Sequence, residues 1–298
     1  MCNGKIAIFG FATLLAAIPT IATARTELSG EASARAVAAK RNVLQNDEFD
    51  SSGFGASASL RAKTDVAGFE LWAEGSAGIF NYLDEERDAR QSLQGEVGIS
   101  RELGETLEIA VRAVTSKNLV FVEALSADQQ RVRVEGKWEQ GNNRLQAFGE
   151  YRRRQYDDLE NVEGTGTRFG GYYNRRLGSY HWVRVSAFTD NIDANSDFRD
   201  YDRVSASIDY SRPFSRMFRG LAGVDLRSWG FPGRDARGPS AGGETRKDSA
   251  ITPQLGAQYG RGRGLFATAR AGYEFRTSND ERFDGNTPRF SLEAGYRF

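Results

Sequence analysis

The sequence is poor in the residue types on which several kinds of site depend. It holds one cysteine and one histidine in 298 residues, which excludes a disulfide framework or a cysteine-based zinc site and argues against histidine-based metal or triad chemistry. Its mean hydropathy is negative, which excludes a bundle of membrane-spanning helices, because each needs a run of ~20 apolar residues. A membrane protein built of strands stays possible, since only every second residue of such a strand faces lipid.

The first residues predict an export signal. Lys5 precedes an apolar run from Ile6 to Ile21, and a small-x-small cleavage pattern ends at Ala24. We therefore expect residues 1–24 to be a cleaved signal peptide and residues 25–298 to form one domain. A membrane-anchoring helix is the alternative, which the short run and a proline near its end disfavour. Cleavage would also remove the only cysteine.

Beyond the leader, apolar residues recur with a period of two. In one stretch Leu265, Ala267, Ala269, Ala271 and Tyr273 share a face. Fourteen segments of this kind predict fourteen strands. The short connections lie near 64–66, 103–105, 140–142, 177–180, 212–216 and 261–264. The long ones lie near 40–51, 82–89, 117–128, 156–166, 190–200, 229–248 and 277–287.

This alternation of short and long connections favours an up-and-down barrel, because outer-membrane barrels have short periplasmic turns and long outer loops. A soluble β-sandwich would also bury one face of each strand, but its dry core needs side chains larger than alanine and glycine. The fold predicted is all-β, a transmembrane antiparallel up-and-down barrel of about fourteen strands. Aromatic residues at strand ends predict two interface girdles. Those near short turns are Phe69, Trp138, Tyr210, Phe218, Tyr259 and Phe298; those near long loops are Phe54, Tyr151, Phe169, Phe275 and Phe290.

The last strand carries a family resemblance. The chain ends in Tyr296-Arg297-Phe298, which resembles the C-terminal signature of Gram-negative outer-membrane barrels. The resemblance implies an outer-membrane location, contact with lipid and lipopolysaccharide, and recognition by the barrel assembly machinery through Phe298. In strand number the chain is similar to the monomeric fourteen-stranded porins.

A second, weaker resemblance is to the C-terminal barrel of surface lipoprotein assembly modifiers. It rests on Arg246-Lys247-Asp248 and on the stretch from Tyr273 through Asn279 to Phe298. Those proteins carry a helical-repeat domain in front of the barrel. We do not expect one here, because the strand pattern begins directly after the leader.

Strand parity predicts a basic interior. An arginine or lysine on the lipid face costs roughly 2–4 kcal/mol at mid-membrane, so the polar face is assigned to the lumen, with 21 basic and 12 acidic residues. The long loops have the opposite net charge, with 23 acidic and 10 basic residues. The candidate pore-lining residues are Arg35, Arg61, Arg112, Arg133, Arg152, Arg168, Arg184, Arg203, Arg227, Arg270, Glu74 and Glu150.

Two interpretations of this wall stay open. Rings of arginine favour anions in pores, whereas arginine and glutamate on neighbouring strands also pair to hold a barrel rigid. Side chains fill the interior of an eight-stranded barrel, whereas a barrel of sixteen or more strands encloses an aqueous channel. Fourteen strands with few large inward residues therefore predict a narrow aqueous pore. The segment 229–248 is long enough to fold inward and constrict it, or else forms a solvated outer loop.

No enzyme chemistry is expected. The single histidine, His181, lies beside a short turn and faces outward by parity, so no catalytic residue, metal ligand or cofactor is predicted. The excess of acidic residues in the long loops argues against nucleic acid as a partner. The predicted function is a porin-like channel for passive diffusion of small hydrophilic solutes, with a preference for anions. The alternative is a barrel for surface export or assembly of a lipoprotein or polysaccharide.

Overall fold

The fold is described from a computed structural model. The described residues are 26–39, 43–45, 48–50, 52–83, 89–120, 126–156, 162–179, 181–238, 243–260 and 262–298. The predicted signal peptide at residues 1–24 lies outside them. Among the residues that the structure describes, no helix is long and apolar enough to cross a bilayer.

Fourteen antiparallel strands form a closed barrel, which confirms the predicted fold class. The barrel strands are β1 (Glu27–Ala39), β4 (Gly53–Val66), β5 (Phe69–Tyr82), β6 (Arg90–Leu103), β7 (Leu107–Val120), β8 (Ser126–Gln140), β9 (Asn143–Tyr156), β10 (Glu163–Gly178), β11 (His181–Ala194), β12 (Tyr201–Pro213), β13 (Phe218–Asp235), β14 (Thr245–Tyr259), β15 (Gly264–Ser278) and β16 (Gly285–Arg297). A small separate hairpin, β2 (Val43–Gln45) and β3 (Glu48–Asp50), lies between β1 and β4.

Short turns join the strands at one end of the barrel. The β4–β5 turn is Ala67-Gly68, and both residues have positive φ angles, 51° and 80°. A two-residue turn of that kind matches the twist of the strands it joins. Strands β1 and β16 close the barrel with Glu31 opposite Arg297, so the described chain begins and ends at this short-turn end. By the convention of outer-membrane barrels it is the periplasmic end.

Side chains alternate between the two surfaces as parity predicts. Outward positions are exposed and apolar, for example Val134, Leu255 and Leu292, because lipid tails are their solvent. Inward positions are buried or half-buried and polar. The loop-end aromatics of the predicted girdle all face outward, with about half of each residue exposed: Phe54, Tyr151, Phe169, Phe275 and Phe290.

The expectation of a loop over residues 229–248 is wrong. Strand β13 continues to Asp235 and β14 begins at Thr245, so the connection is much shorter than predicted. The reason is that the two-residue alternation continues past residue 228, and Trp229 and Phe231 point into the barrel and are buried. The hairpin β2–β3 falls inside another predicted loop, 40–51.

The lipid-facing assignment makes a direct prediction about stability. Replacing Leu292, at the middle of β16 and exposed to lipid, with arginine should lower the free energy of unfolding in lipid vesicles by about 2–4 kcal/mol. Ser76→Arg is the matched control, because Ser76 lines an interior cavity. Urea titrations should separate the two variants, and equal unfolding midpoints would contradict the assignment.

Candidate functional site in the barrel lumen

One buried carboxylate on the inner wall forms ion pairs with three arginines. Glu150 on β9 lies 2.7 Å from Nη2 of Arg133, 3.6 Å from Nη1 of Arg131 and 3.7 Å from Nε of Arg152. The strand register produces this arrangement, because Arg133 on β8 lies directly opposite Glu150. The wall of β8 and β9 therefore carries more positive than negative charge at one level of the lumen.

A second buried carboxylate, Asp190 on β11, forms ion pairs with Arg152 and Arg203. Arg203 on β12 donates from Nε to Oδ1 at 2.9 Å and from Nη2 to Oδ2 at 2.7 Å, and Arg152 Nη1 lies 3.1 Å from Oδ2. The sequence pattern predicts that Asp190 is an acidic residue of a loop over 190–200. That placement is wrong, because β11 extends to Ala194 and turns Asp190 inward.

Aromatic rings orient the arginines of this wall. The guanidinium carbon of Arg168 lies 3.8 Å from the centroid of the Phe188 ring, and that of Arg133 lies 4.1 Å from the Phe148 centroid. Arg184 lies over Tyr172 at 4.6 Å. Stacking uses the flat face of a guanidinium group and leaves its N–H edge for hydrogen bonds. We call the arginines Arg131, Arg133, Arg152, Arg168, Arg184 and Arg203, with these rings, the arginine wall.

The wall of β1 and β4–β6 is rich in hydroxyl groups instead. The Oγ atoms of Ser33 and Ser57 lie 3.1 Å apart, and a cavity of about 270 Å³ beside them is also lined by Arg35, Arg90 and Ser92. Small side chains leave room here. The interior thus has a basic aromatic side and a serine-rich side.

A larger interior cavity, of about 400 Å³, lies along β10–β15. Arg184 and Arg270 line it together with Asp209, Asp225 and Gln254. Gln254 donates from Nε2 to Oδ2 of Asp225 at 3.1 Å. Arginine, carboxylate and amide groups together offer both donors and acceptors to a polar solute.

Apolar side chains fill the interior near the long-loop end on one side. A buried cluster, which we call the outer layer, consists of Ala127, Tyr156, Ile192, Tyr201, Trp229, Phe231 and Ala250. A single 3-10 turn, Asp197–Arg199, packs against β13 beside it. Arg234 donates from Nε to the carbonyl oxygen of Phe198 at 2.8 Å. Gly233 permits this approach, because a Cβ atom there would lie 1.9 Å from the Asp197 carbonyl oxygen.

The outer layer continues into a second ion cluster. Arg246 Nη2 lies 2.6 Å from Oδ2 of Asp248, which also pairs with Arg276. The Arg246 guanidinium stacks on Phe283 at 3.3 Å from the ring centroid. Phe283 belongs to the loop after β15, where hydrogen bonds from Arg282 lower the pKa of Asp280 to about 2. The carboxylate of Asp280 is thus charged across the physiological range, and it is bonded to Arg282 two residues along the same loop.

The structure places all twelve candidate pore-lining residues at inward positions, but in separate groups. Arg133, Arg152, Arg168, Arg184, Arg203 and Glu150 lie in or against the arginine wall. Arg61 pairs with Glu74 at 3.7 Å. Arg112 bridges Glu96 and Glu135 at 3.6 and 2.9 Å. Arg227 Nη2 lies 3.9 Å from Asp225 Oδ2, Arg270 lines the 400 Å³ cavity, and Arg35 the 270 Å³ cavity.

Several interior residues were missed by the sequence analysis. Asp190, Trp229, Phe231, Arg246 and Asp248 are all buried, and all lie in segments predicted as loops. The signal that could have found them is the alternation itself, because Arg227, Trp229 and Phe231 keep the same parity.

The single histidine lies on the outer surface at the short-turn end. His181 Nε2 is 2.5 Å from the Tyr210 hydroxyl oxygen, and the two rings meet edge to face. This pair lies in the aromatic girdle, as the sequence predicts, and away from the arginine wall. Within the described ranges, His, Cys, Asp and Glu side chains form no cluster of three or more that could ligate a metal ion.

Solved structures with this architecture are outer-membrane proteins. A loop-deletion form of OmpT, an outer membrane protein of Vibrio cholerae, has a TM-score of 0.55 at 11% identity and covers 93% of this chain and 100% of that chain. The outer membrane channel DcaP of Acinetobacter baumannii has a TM-score of 0.54 at 12% identity, covering 92% and 97%. OmpF of Salmonella typhi has a TM-score of 0.53 at 10% identity, covering 92% and 98%.

No protein-family model and no curated protein matches the chain. The structural likeness, at such low identity, concerns the fold. A closed antiparallel barrel with an apolar exterior and a charged interior is the architecture that crosses bacterial outer membranes with strands. The chain is an outer-membrane β-barrel with the fold of outer-membrane channels. The weaker likeness to surface lipoprotein assembly modifiers is not tested by these comparisons and stays a prediction.

Proposed function

We propose that the barrel is a passive, non-enzymatic channel for small hydrophilic solutes that favours anions. The observation that carries the proposal is that arginines outnumber carboxylates on the arginine wall. Glu150 forms ion pairs with three arginines and Asp190 with two, and Arg152 is common to both. Within the part of the chain that the structure describes, four arginines therefore lie around two carboxylates, and positive charge exceeds negative charge at this place in the lumen.

The interior environment strengthens this positive field. A low-dielectric barrel wall focuses the potential of fixed charges and raises the local concentration of oppositely charged solutes. The guanidinium edge suits carboxylate and phosphate oxygens, because it presents parallel N–H donors. Stacking on Phe148 and Phe188 fixes these edges in place. Small acidic solutes, such as carboxylated sugars, have the chemistry that this wall would attract.

Removing cavity arginines should weaken the preference for anions. In a planar bilayer with a potassium chloride gradient, the wild-type reversal potential should indicate anion preference, and Arg184→Gln/Arg270→Gln should shift it toward the cation side. Arg153→Gln is the matched control, because Arg153 is exposed on the outer surface and paired with Glu163 at 2.7 Å. Cation preference in the wild type would overturn the proposed selectivity.

We also propose that the barrel assembly machinery recognises Phe298. Its backbone N–H donates to the Gly30 carbonyl oxygen at 3.0 Å, which ties the chain end to β1. About half of the Phe298 residue surface is exposed, so the aromatic end is accessible at the periplasmic side. Deleting Phe298 should lower the yield of folded barrel in cells and leave refolding in detergent largely intact.

A further inference from the structure

The outer surface near the short turns carries a charge pattern that a channel does not need. Outward-facing charged residues on the strands at this end are all arginines: Arg101, Arg175 and Arg212. No carboxylate occupies an outward strand position there in the part of the chain that the structure describes. At the long-loop end, outward charges have both signs and pair with each other, as in Lys117–Asp128 at 3.6 Å and Arg153–Glu163 at 2.7 Å.

Four exposed arginines lie at this end along β10–β15. Arg175 and Arg212 are on strands, and Arg216 and Arg263 are in the adjoining short turns; all four are exposed. Within the described residues none of them makes an ion pair. We call them the basic rim. Exposed arginines at one end of the barrel without acidic partners create a positive surface potential, which attracts an external anion.

An apolar groove lies in the lipid-facing surface above the basic rim. Its volume is about 720 Å³, and its lining includes Ile208, Tyr210, Ala222, Leu255 and Tyr273. Ala222 lies opposite Tyr210 on one neighbouring strand and opposite Leu255 on the other, so a small side chain stands between two large ones. Ile208, Tyr210 and Arg212 follow one another on the outward face of β12, so the groove adjoins the basic rim at Arg212.

Aromatic side chains mark the level of this junction in the membrane. Phe218 and Tyr259 pack with their ring centroids 5.1 Å apart, and Phe214 is largely exposed. Aromatic belts lie at the level of lipid headgroups. The arginines at this level therefore face phosphate groups, and the groove faces acyl chains.

We propose that this surface binds an anionic phospholipid of the periplasmic leaflet, with its phosphate on Arg212 and Arg216 and an acyl chain in the groove. Charge complementarity favours this occupant over a second copy of the chain, which would bring its own arginines to the contact. Guanidinium groups bind phosphate oxygens through charge-assisted hydrogen bonds. The inference does not depend on the solute that crosses the lumen.

Native mass spectrometry of the refolded barrel in mixed micelles tests the proposal. Phosphatidylglycerol and phosphatidylcholine are offered in equal amounts, and bound lipids are counted. The wild type should retain phosphatidylglycerol in preference. Arg212→Gln/Arg216→Gln should reduce that retention by about fivefold for each arginine removed. Arg153→Gln, which removes an exposed arginine at the opposite end, should retain as much lipid as the wild type.

A groove-filling variant separates the site from a general charge effect. Ala222→Phe keeps every arginine and occupies the groove, so it should also lower phosphatidylglycerol retention. A heat-dependent shift in gel mobility confirms that each variant is folded, and Arg216→Gln alone, in an exposed turn, is the fallback if the double variant does not fold. Equal lipid retention in all folded variants, or a dimer without bound lipid, would overturn the proposal.

Discussion

Asp190→Asn should lower the free energy of unfolding by about 3–5 kcal/mol, the usual cost of removing one partner from a buried ion pair. Asp190 is buried and accepts from both Nε and Nη2 of Arg203, with Arg152 3.1 Å away. Neutralising it leaves two buried arginines facing a neutral amide. Urea unfolding in lipid vesicles, followed by tryptophan fluorescence, measures the loss.

Asp193→Asn provides the matched control for that experiment. Asp193 lies on the same strand, three residues further along, but it faces outward and is exposed. The same loss of charge should therefore change stability by less than about 1 kcal/mol. If both variants unfold at the same urea concentration, Asp190 does not hold the arginine wall together.

Removing the large side chains of the outer layer should have two effects at once. Trp229 and Phe231 are buried inside the barrel near its outer mouth, so Trp229→Ala/Phe231→Ala should enlarge the opening and raise single-channel conductance. Each aromatic-to-alanine substitution in a packed interior costs about 3–5 kcal/mol. The double variant should therefore conduct more and unfold at a clearly lower urea concentration.

Phe290→Ala is the control for this pair. Phe290 faces lipid from β16 with about half of its residue surface exposed, so its loss should leave conductance unchanged. If the double variant instead conducts as the wild type does, the outer layer does not limit the ion path.

The barrel itself was predictable because its physical signal is local. A lipid-facing side chain must be apolar at every second position, so the alternation along Leu265 to Phe275 is visible without knowledge of any partner strand. The same parity placed Arg168 and Arg203 inside correctly. The ends of the strands were harder to predict, because charged inward residues such as Asp190 and Arg246 have the polar character typical of loops.

The pairing inside the lumen could not be predicted. Which arginine meets Glu150 depends on the register between β8 and β9, which places Arg133 directly opposite. A shift of two residues would preserve every inward and outward assignment and change every ion pair. The packing of the turn Asp197–Arg199 against β13 depends on contacts between distant segments, such as Arg234 with Phe198.

Single-channel recording shows whether the barrel lumen conducts ions. Refolded protein covering residues 25–298 is added to a planar bilayer in symmetric potassium chloride, after its folding has been checked by the gel-mobility shift. An open lumen should give discrete conductance steps as single barrels insert. Folded barrels that insert into the membrane and pass no current would contradict it.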